Sequence, residues 1–235
     1  MGHESSILYK PVNALWHSVQ HRFPWDIPDH VIMALLVLLI STVLFVTASR
    51  RISRDNPGPL QHMLEMLVGG LKGLLHDIIG HGSERYLTII GSFTVFIFIS
   101  NIFGLFFFLQ PPTSNTNTTF ALSISAFLYY NIEGIRRQGV VKYLKHFMGP
   151  VLWLAPLMFI IEIIGNFARI LSLGVRLFGN IFGEHTATGI FTGLVPVIAP
   201  MPMMALGIFG ALLQTYVFIM LTTVYIAGAV AAEEH

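Results

Sequence analysis

The sequence predicts an all-α polytopic membrane protein with about five membrane-crossing helices and one interfacial amphipathic helix. The last two crossings are long and strongly tilted, and they pair as a hairpin. Three observations lead there. Of 235 residues, 54% are hydrophobic and only 11% charged, where soluble domains carry about 25% charged residues. The apolar residues gather in runs long enough to cross a ~30 Å hydrocarbon core. The basic residues gather between the runs, on one side of the inferred membrane.

The composition also excludes classes of function. A net charge of +1 gives no reason to expect nucleic acid. The absence of cysteine rules out disulfides, thiolate metal sites and cysteine nucleophiles. The chain contains no P-loop, HExxH or GxSxG motif and no internal repeat, and no cofactor or metal is expected.

Residues 1–29 form an external segment, polar and aromatic with three prolines, without the basic start and apolar run of a signal peptide. "MGHESS" and Asn117-Thr118-Thr119 match myristoylation and glycosylation patterns that are too short and common to carry weight. Residues 30–49 make the first crossing, with Val31 to Ala48 as its apolar run, and "SRRISRD" follows it. Lys and Arg mark the cytoplasmic side, so the N-terminus lies outside. Residues 57–82 differ in kind. Leu60, Met63, Leu64, Leu67, Val68, Leu71, Leu74, Leu75, Ile78 and Ile79 recur at helical spacing, with Gln61, Glu65, Lys72 and Asp77 on other faces. Such a helix lies in the interface rather than crossing it.

Residues 86–132 read as a helical hairpin. Tyr86 to Leu109 crosses outward, "QPPTSNTNTT" turns, and Phe120 to Ile132 returns, a short crossing unless the Asn/Thr stretch enters the membrane. "RRQGVVKYLKH" then adds four basic residues inside. Nine of the 13 Lys and Arg fall in cytoplasmic segments, Lys10 and Arg22 fall outside, and Arg169 and Arg176 remain in the membrane. Residues 150–235 form the final pair. Pro156 to Val195 has no internal proline, and as one helix it would be ~60 Å long, twice the hydrocarbon thickness. It must turn back or lie steeply tilted. "VPVIAPMP" breaks it, and Met203 to Ala232 is again over-long. A tilted pair gives five crossings and a cytoplasmic C-terminus.

The membrane-buried polar residues carry the function. Residues seven apart on a helix are offset by only ~20°, so Glu162, Arg169 and Arg176 form a charged stripe. Asn180 and Glu184 continue it in four-residue steps, while His185 falls nearly opposite Arg176. A Glu162–Arg169 pair alone could be a simple internal ion pair. Five ionisable groups on one buried helix point to function, since a charge at the bilayer centre costs roughly 3 kcal/mol. Gly179 and Gly183 form a GxxxG pair that admits another helix closely. On the last helix, Gly207, Gly210, Ala211 and Gln214 form a similar small-residue face ending in an amide that a hairpin would bring within reach of Arg176.

These residues also carry a resemblance. "SLGVRLFGN", with Glu162 fourteen residues before the arginine and "LLQTYVFIMLTTVYI" near the "EEH" end, closely resembles subunit a of the F-type rotary ATP synthase, in its bacterial form. The last ~85 residues resemble that family tightly and the rest more loosely. The resemblance implies a non-catalytic stator lying against a ring of c subunits, with two offset aqueous half-channels that meet the ring on either side of an arginine. It implies proton translocation through Arg176, Glu184, His185, Asn180, Gln214 and Glu162, with Ser172, Gly179 and Gly183 contacting the ring. Asn180 would line a channel, Gln214 would hydrogen-bond the arginine, and Glu162 would lie on the cytoplasmic side. The implied partners are the c-ring, peripheral-stalk b subunits, the other synthase subunits and the lipid of a bacterial plasma membrane. One departure stands out. Members of the family pair an acid nine residues after the arginine with a histidine on the last helix, or the reverse. Here that position is His185, the acid is its neighbour Glu184, and Gly207 stands on the last helix. The entry relay is thus compressed into Glu184-His185. Two rival readings are a midplane-binding secondary transporter and an intramembrane metalloenzyme using Glu184, His185 and other histidines.

Overall fold

A computed structural model describes residues 28–50, 58–105, 111–143, 153–194 and 200–230. Residues 1–27 of the segment expected to be external, most of "SRRISRD", Lys145, the first part of the "VPVIAPMP" break and the "EEH" tail lie outside the described residues. The described residues form helices and short connecting turns without a strand. Four helical stretches are long and apolar enough to cross a membrane: Asp29–Arg50, Ser83–Phe103, Ala155–Phe191 and Met201–Val230.

Helix α1 (Asp29–Arg50) has an acid in its first turn and a base in its last, matching the helix dipole. Only Ile32, Met33, Val37 and Ala48 are buried. Met33 and Val37 lean on Phe103 of the third helix, and the rest of the surface is bare Leu, Ile and Val. Helix α2 (Pro59–Ile79) starts on a proline, whose missing N–H costs nothing in a first turn. It ends at Gly80, which adopts φ +83 and caps the carbonyl of His76. Leu71 and Leu75 are buried against the bundle, whereas Leu60, Met63, Met66, Leu67 and Val68 are exposed. Protein covers only the far end of its apolar face, as suits a helix lying in an interface.

A 3₁₀ turn (Ser83–Tyr86) leads into α3 (Leu87–Phe103). A second short turn (Pro112–Ser114) precedes α4 (Thr116–Gln138). The returning helix takes in the Asn/Thr stretch. The side chain of Asn115 accepts from the N–H of Asn117 at 2.9 Å and caps it. Its 23 residues span ~35 Å. Thr119 and Ser123 are fully buried with their hydroxyls on backbone carbonyls of the preceding turn. Polar side chains inside this helix are satisfied locally.

Helix α5 (Ala155–Leu194) is one 40-residue helix that does not turn back, and α6 (Pro200–Val230) has 31 residues. Rods of ~60 and ~46 Å fit a ~30 Å core only when steeply inclined. Helix α6 is the hub and packs against α2, α3, α4 and α5. One core cluster joins Phe93 and Ile97 of α3, Ala126 of α4, Leu173 and Leu177 of α5, and Phe218 of α6. A second joins α2 to Tyr86, Ile90, Tyr130, Tyr143, Ile219 and Ile226. Small residues set the spacing. A methyl group added at Gly134 of α4 would strike the Tyr143 ring and the Ala229 carbonyl of α6. One added at Gly174 of α5 would meet the Phe120 ring at 3.0 Å and Ser123 Oγ at 3.2 Å.

Candidate functional site: the polar path along α5

The chemistry-bearing residues of α5 divide into three groups along its length. Arg176 stands at the centre. It is exposed, and its Nη2 donates to Ser172 Oγ at 3.4 Å, one turn back on the same helix. Among the described residues, no carboxylate pairs with it. Ser172, Gly179, Asn180 and Gly183 are exposed on the same side. Among the described residues, nothing beyond the helix's own adjoining backbone comes within 4 Å of a Cβ added at Gly179 or Gly183. Among those residues the GxxxG pair receives no other helix, whereas Gly174 receives α4.

Gln214 is 6% exposed on the inner face of α6, one turn before Phe218 in the core. Among the described residues, no hydrogen bond joins it to Arg176. The arginine reaches Ser172 along its own helix, while Gln214 faces inward.

Towards its C-terminal end α5 meets the junction of α3 and α6. Gly207 of α6 lies directly under Glu184, so that a Cβ there would overlap the carboxylate. Gly210 leaves room for Glu184 Oε2 and for Asn180 Nδ2, which lie 4.0 and 3.6 Å from an added Cβ. The acid of α5 thus occupies the space that a side chain on α6 would fill. His185 turns the other way, with Nε2 3.3 Å from a Cβ added at Gly104 of α3. Its Nε2 is buried and accepts no hydrogen bond from the protein. The backbone carbonyl of Asn101 lies 3.1 Å from the same added Cβ; among the described residues Asn101 Nδ2 is also buried without a partner, while its Oδ1 accepts from Thr113 Oγ1 at 3.1 Å. Ser100 Oγ is a further unpaired atom in the same turn of α3. Buried polar atoms are nearly always satisfied by protein or water, so this concentration marks a place built to be polar. Glu184 and His185 point onto different helices, and among the described residues no three His, Asp or Glu converge as a metal site would need.

At the other end, Glu162 Oε1 lies 3.4 Å from Arg169 Nη2. Asn166 completes the group. Its Nδ2 donates to the Glu162 carbonyl at 3.0 Å and to Oε1 at 3.5 Å, and its Oδ1 accepts from Tyr130 at 2.8 Å. Arg169 Nη1 donates to the same Oδ1 at 3.4 Å, and its guanidinium lies 5.4 Å from the Tyr225 ring centre. Nearby, Tyr143 donates to Asn131 Oδ1 at 2.8 Å. Burial pushes the Tyr143 hydroxyl up to about 12, so it stays a neutral donor at physiological pH. Sequence reasoning singled out Glu162, Asn180, Glu184 and His185 but missed Asn101, Thr113, Tyr130 and Asn166. No periodicity or motif in the chain marks those four: Asn166 stands in an apolar run, and Asn101, Thr113 and Tyr130 sit beside other polar residues with nothing to single them out.

Comparison with known proteins agrees with this arrangement. Residues 30–227 match the ATP synthase A chain family. An ATP synthase subunit a from a Sulfurihydrogenibium species is 41% identical over 207 residues, covering 88% of this chain and 99% of that protein. The ATP synthase subunit a 1 of Syntrophotalea carbinolica is 44% identical over 200 residues, 85% of each chain. The ATP synthase subunit a of Campylobacter fetus is 40% identical over 220 residues, 92% of this chain and 96% of its own. A match across most of the chain, together with an over-long α5 carrying Glu162, Arg169 and Arg176 in one stripe, places this protein in the ATP synthase A chain family.

Proposed function

We propose that this chain is the proton-conducting stator subunit of a bacterial ATP synthase membrane sector, a subunit without an active site of its own. The observation that carries the reading is Arg176, an exposed cation without a carboxylate partner among the described residues, on a face kept open by Gly179 and Gly183. An uncompensated charge in an apolar segment is a functional group awaiting a partner. The partner is a carboxylate on a passing c subunit, and Ser172, Gly179 and Gly183 form the surface against which the ring turns.

The physics follows from the charge. A rotor carboxylate must be neutral while it faces lipid and ionised while it passes the stator. A guanidinium at ~4 Å stabilises the anion by about 4 kcal/mol at an effective dielectric of ~20. That shifts its ionisation roughly a thousandfold, enough to expel the proton into the exit path. Arginine suits the role because it stays charged where a buried lysine can lose its proton. Its charge also opposes direct passage of protons between the two sides. Each proton crossing the membrane supplies about 2.3 kcal/mol per 100 mV.

Protons enter from outside past Thr113 and Asn101, through His185 and Glu184, and reach the ring near Asn180. The route is supported by three proximities: the Asn101 backbone carbonyl and His185 Nε2 both lie near Gly104, Asn101 Oδ1 accepts from Thr113, and Glu184 and Asn180 both lie near Gly210. They leave towards the cytoplasm past Glu162. Gln214 is the neutral group that α6 contributes beside this path. Peripheral-stalk b subunits and the plasma-membrane lipid cover the remaining apolar faces of α1, α2 and α5. The test is proton-driven ATP synthesis in membranes carrying Arg176→Ala or Arg176→Lys. Both variants should insert and assemble, and both should lose coupled synthesis. Normal synthesis by Arg176→Ala membranes would sink this mechanism.

A further inference from the structure

The charged stripe of α5 holds two arginines, and a rotor carboxylate should meet only one. Arg169 and Arg176 are two turns apart on nearly the same face, ~10.5 Å along the helix. That exceeds the ~8 Å Debye length of physiological salt, but charges partly buried in an apolar segment are screened much less than exposed ones, so a second free cation would still be felt. Left alone, Arg169 would offer the carboxylate a competing resting place on the cytoplasmic side and would repel protons leaving there.

The structure engages Arg169 on three sides. Glu162 takes Nη2, Asn166 Oδ1 takes Nη1, and the Tyr225 ring of α6 lies against the guanidinium. Asn166 is the pivot. It is 7% exposed, and its amide has two ends with opposite hydrogen-bonding character. Tyr130 is 2% exposed on α4 and donates to Oδ1 at 2.8 Å. That bond fixes the amide with its oxygen towards Tyr130 and Arg169 and its NH₂ towards Glu162. Without the tyrosine hydroxyl the amide loses its anchor on α4. The acid and base then keep only a half-exposed ion pair, with side chains 34% and 36% accessible, and exposed pairs are weakly held.

We propose that Tyr130 and Asn166 are positioning residues that clamp Arg169 onto Glu162, leaving Arg176, among the described residues, as the one free cation on the rotor-facing stripe. This rests on the reading of Arg176 as the group that meets the rotor carboxylate. Tyr130 and Asn166 act through the Glu162–Arg169 pair and meet the rotor carboxylate at no point themselves.

A suppression experiment on the assembled synthase in reconstituted membranes tests this. Proton-driven ATP synthesis per assembled complex is measured for Tyr130→Phe and Asn166→Leu, each alone and each combined with Arg169→Gln, with Arg176→Ala as control. Each single variant should slow synthesis by roughly three- to tenfold, within the coupling range for residues sharing a hydrogen-bond network. Adding Arg169→Gln should restore most of the loss, because the released cation is then gone. A merely structural role predicts the opposite, since a further lost contact cannot repair a loosened helix pair. Double variants as slow as the singles, or singles equal to the unmodified protein, would overturn the clamp. If either outcome appears with Arg176→Ala inactive, only the clamp falls. An active Arg176→Ala removes the underlying reading and the clamp with it.

Discussion

Glu184 sits over a glycine for a steric reason, and that reason makes its role testable. The carboxylate fills the space above Gly207, while its neighbour His185 faces Gly104 of another helix. The two side chains therefore bracket the junction of α3, α5 and α6 instead of pairing with each other. If they form one relay, Glu184→Gln and His185→Ala should each slow proton flux by on the order of tenfold or more, as loss of a proton-transferring group does. The double variant should cost less than the product of the two, because a broken relay cannot be broken twice. Gly207→Val should act like Glu184→Gln, because it displaces the ends of the Glu184 and Leu105 side chains and meets no backbone atom. Passive proton uptake through the membrane sector reports all of these. Unchanged flux in both single variants would remove the pair from the path.

At the scale of elements, the glycines of α5 have two different jobs. Gly174 is where α4 approaches, with Phe120 and Ser123 in contact distance, whereas Gly179 faces open space. Gly174→Leu should destabilise the chain by about 1–3 kcal/mol, the usual cost of overpacking, seen as a lower thermal midpoint of the purified complex. Gly179→Leu should leave that fold intact and instead weaken retention of the c-ring. A Gly179→Leu complex that keeps its ring and full synthesis rate would show that this face meets lipid instead. The length of α5 belongs to the same scale. Its 40 residues continue past Gly174, Gly179, Gly183 and Gly189 without interruption, although each interior glycine costs about 1 kcal/mol relative to alanine.

For the whole molecule, the distribution of basic residues supports one proposed orientation. In it, Arg50, at the end of α1, and Arg136 and Arg137, at the end of α4, lie on the cytoplasmic side, and Asn115, at the start of α4, lies outside. The chain has no cysteine, so single cysteines introduce no background. A membrane-impermeant thiol reagent should label Asn115→Cys from outside and Arg136→Cys only from the cytoplasmic side. Labelling of position 115 from the cytoplasmic side alone would invert the assignment and exchange the entry and exit paths.

By itself the sequence determined the helical class, the amphipathic α2 and the charged stripe of α5. These rest on local periodicity, which any window of the chain displays: apolar runs long enough to cross, a two-faced pattern in α2, and charges seven apart. It also pointed to Gly207 as the position where an expected side chain is missing. Tertiary structure alone decided what fills that space, because Glu184 and Gly207 meet only when α5 folds against α6. The same holds for Tyr130 and Asn166, 36 residues apart, and for Asn101 and Thr113 across a turn. A single asparagine or tyrosine in an apolar run is equally compatible with a lipid-facing, packed or channel position. Only the neighbouring helix distinguishes these, by supplying or withholding a hydrogen-bond partner where water is scarce and an unpaired polar atom is costly.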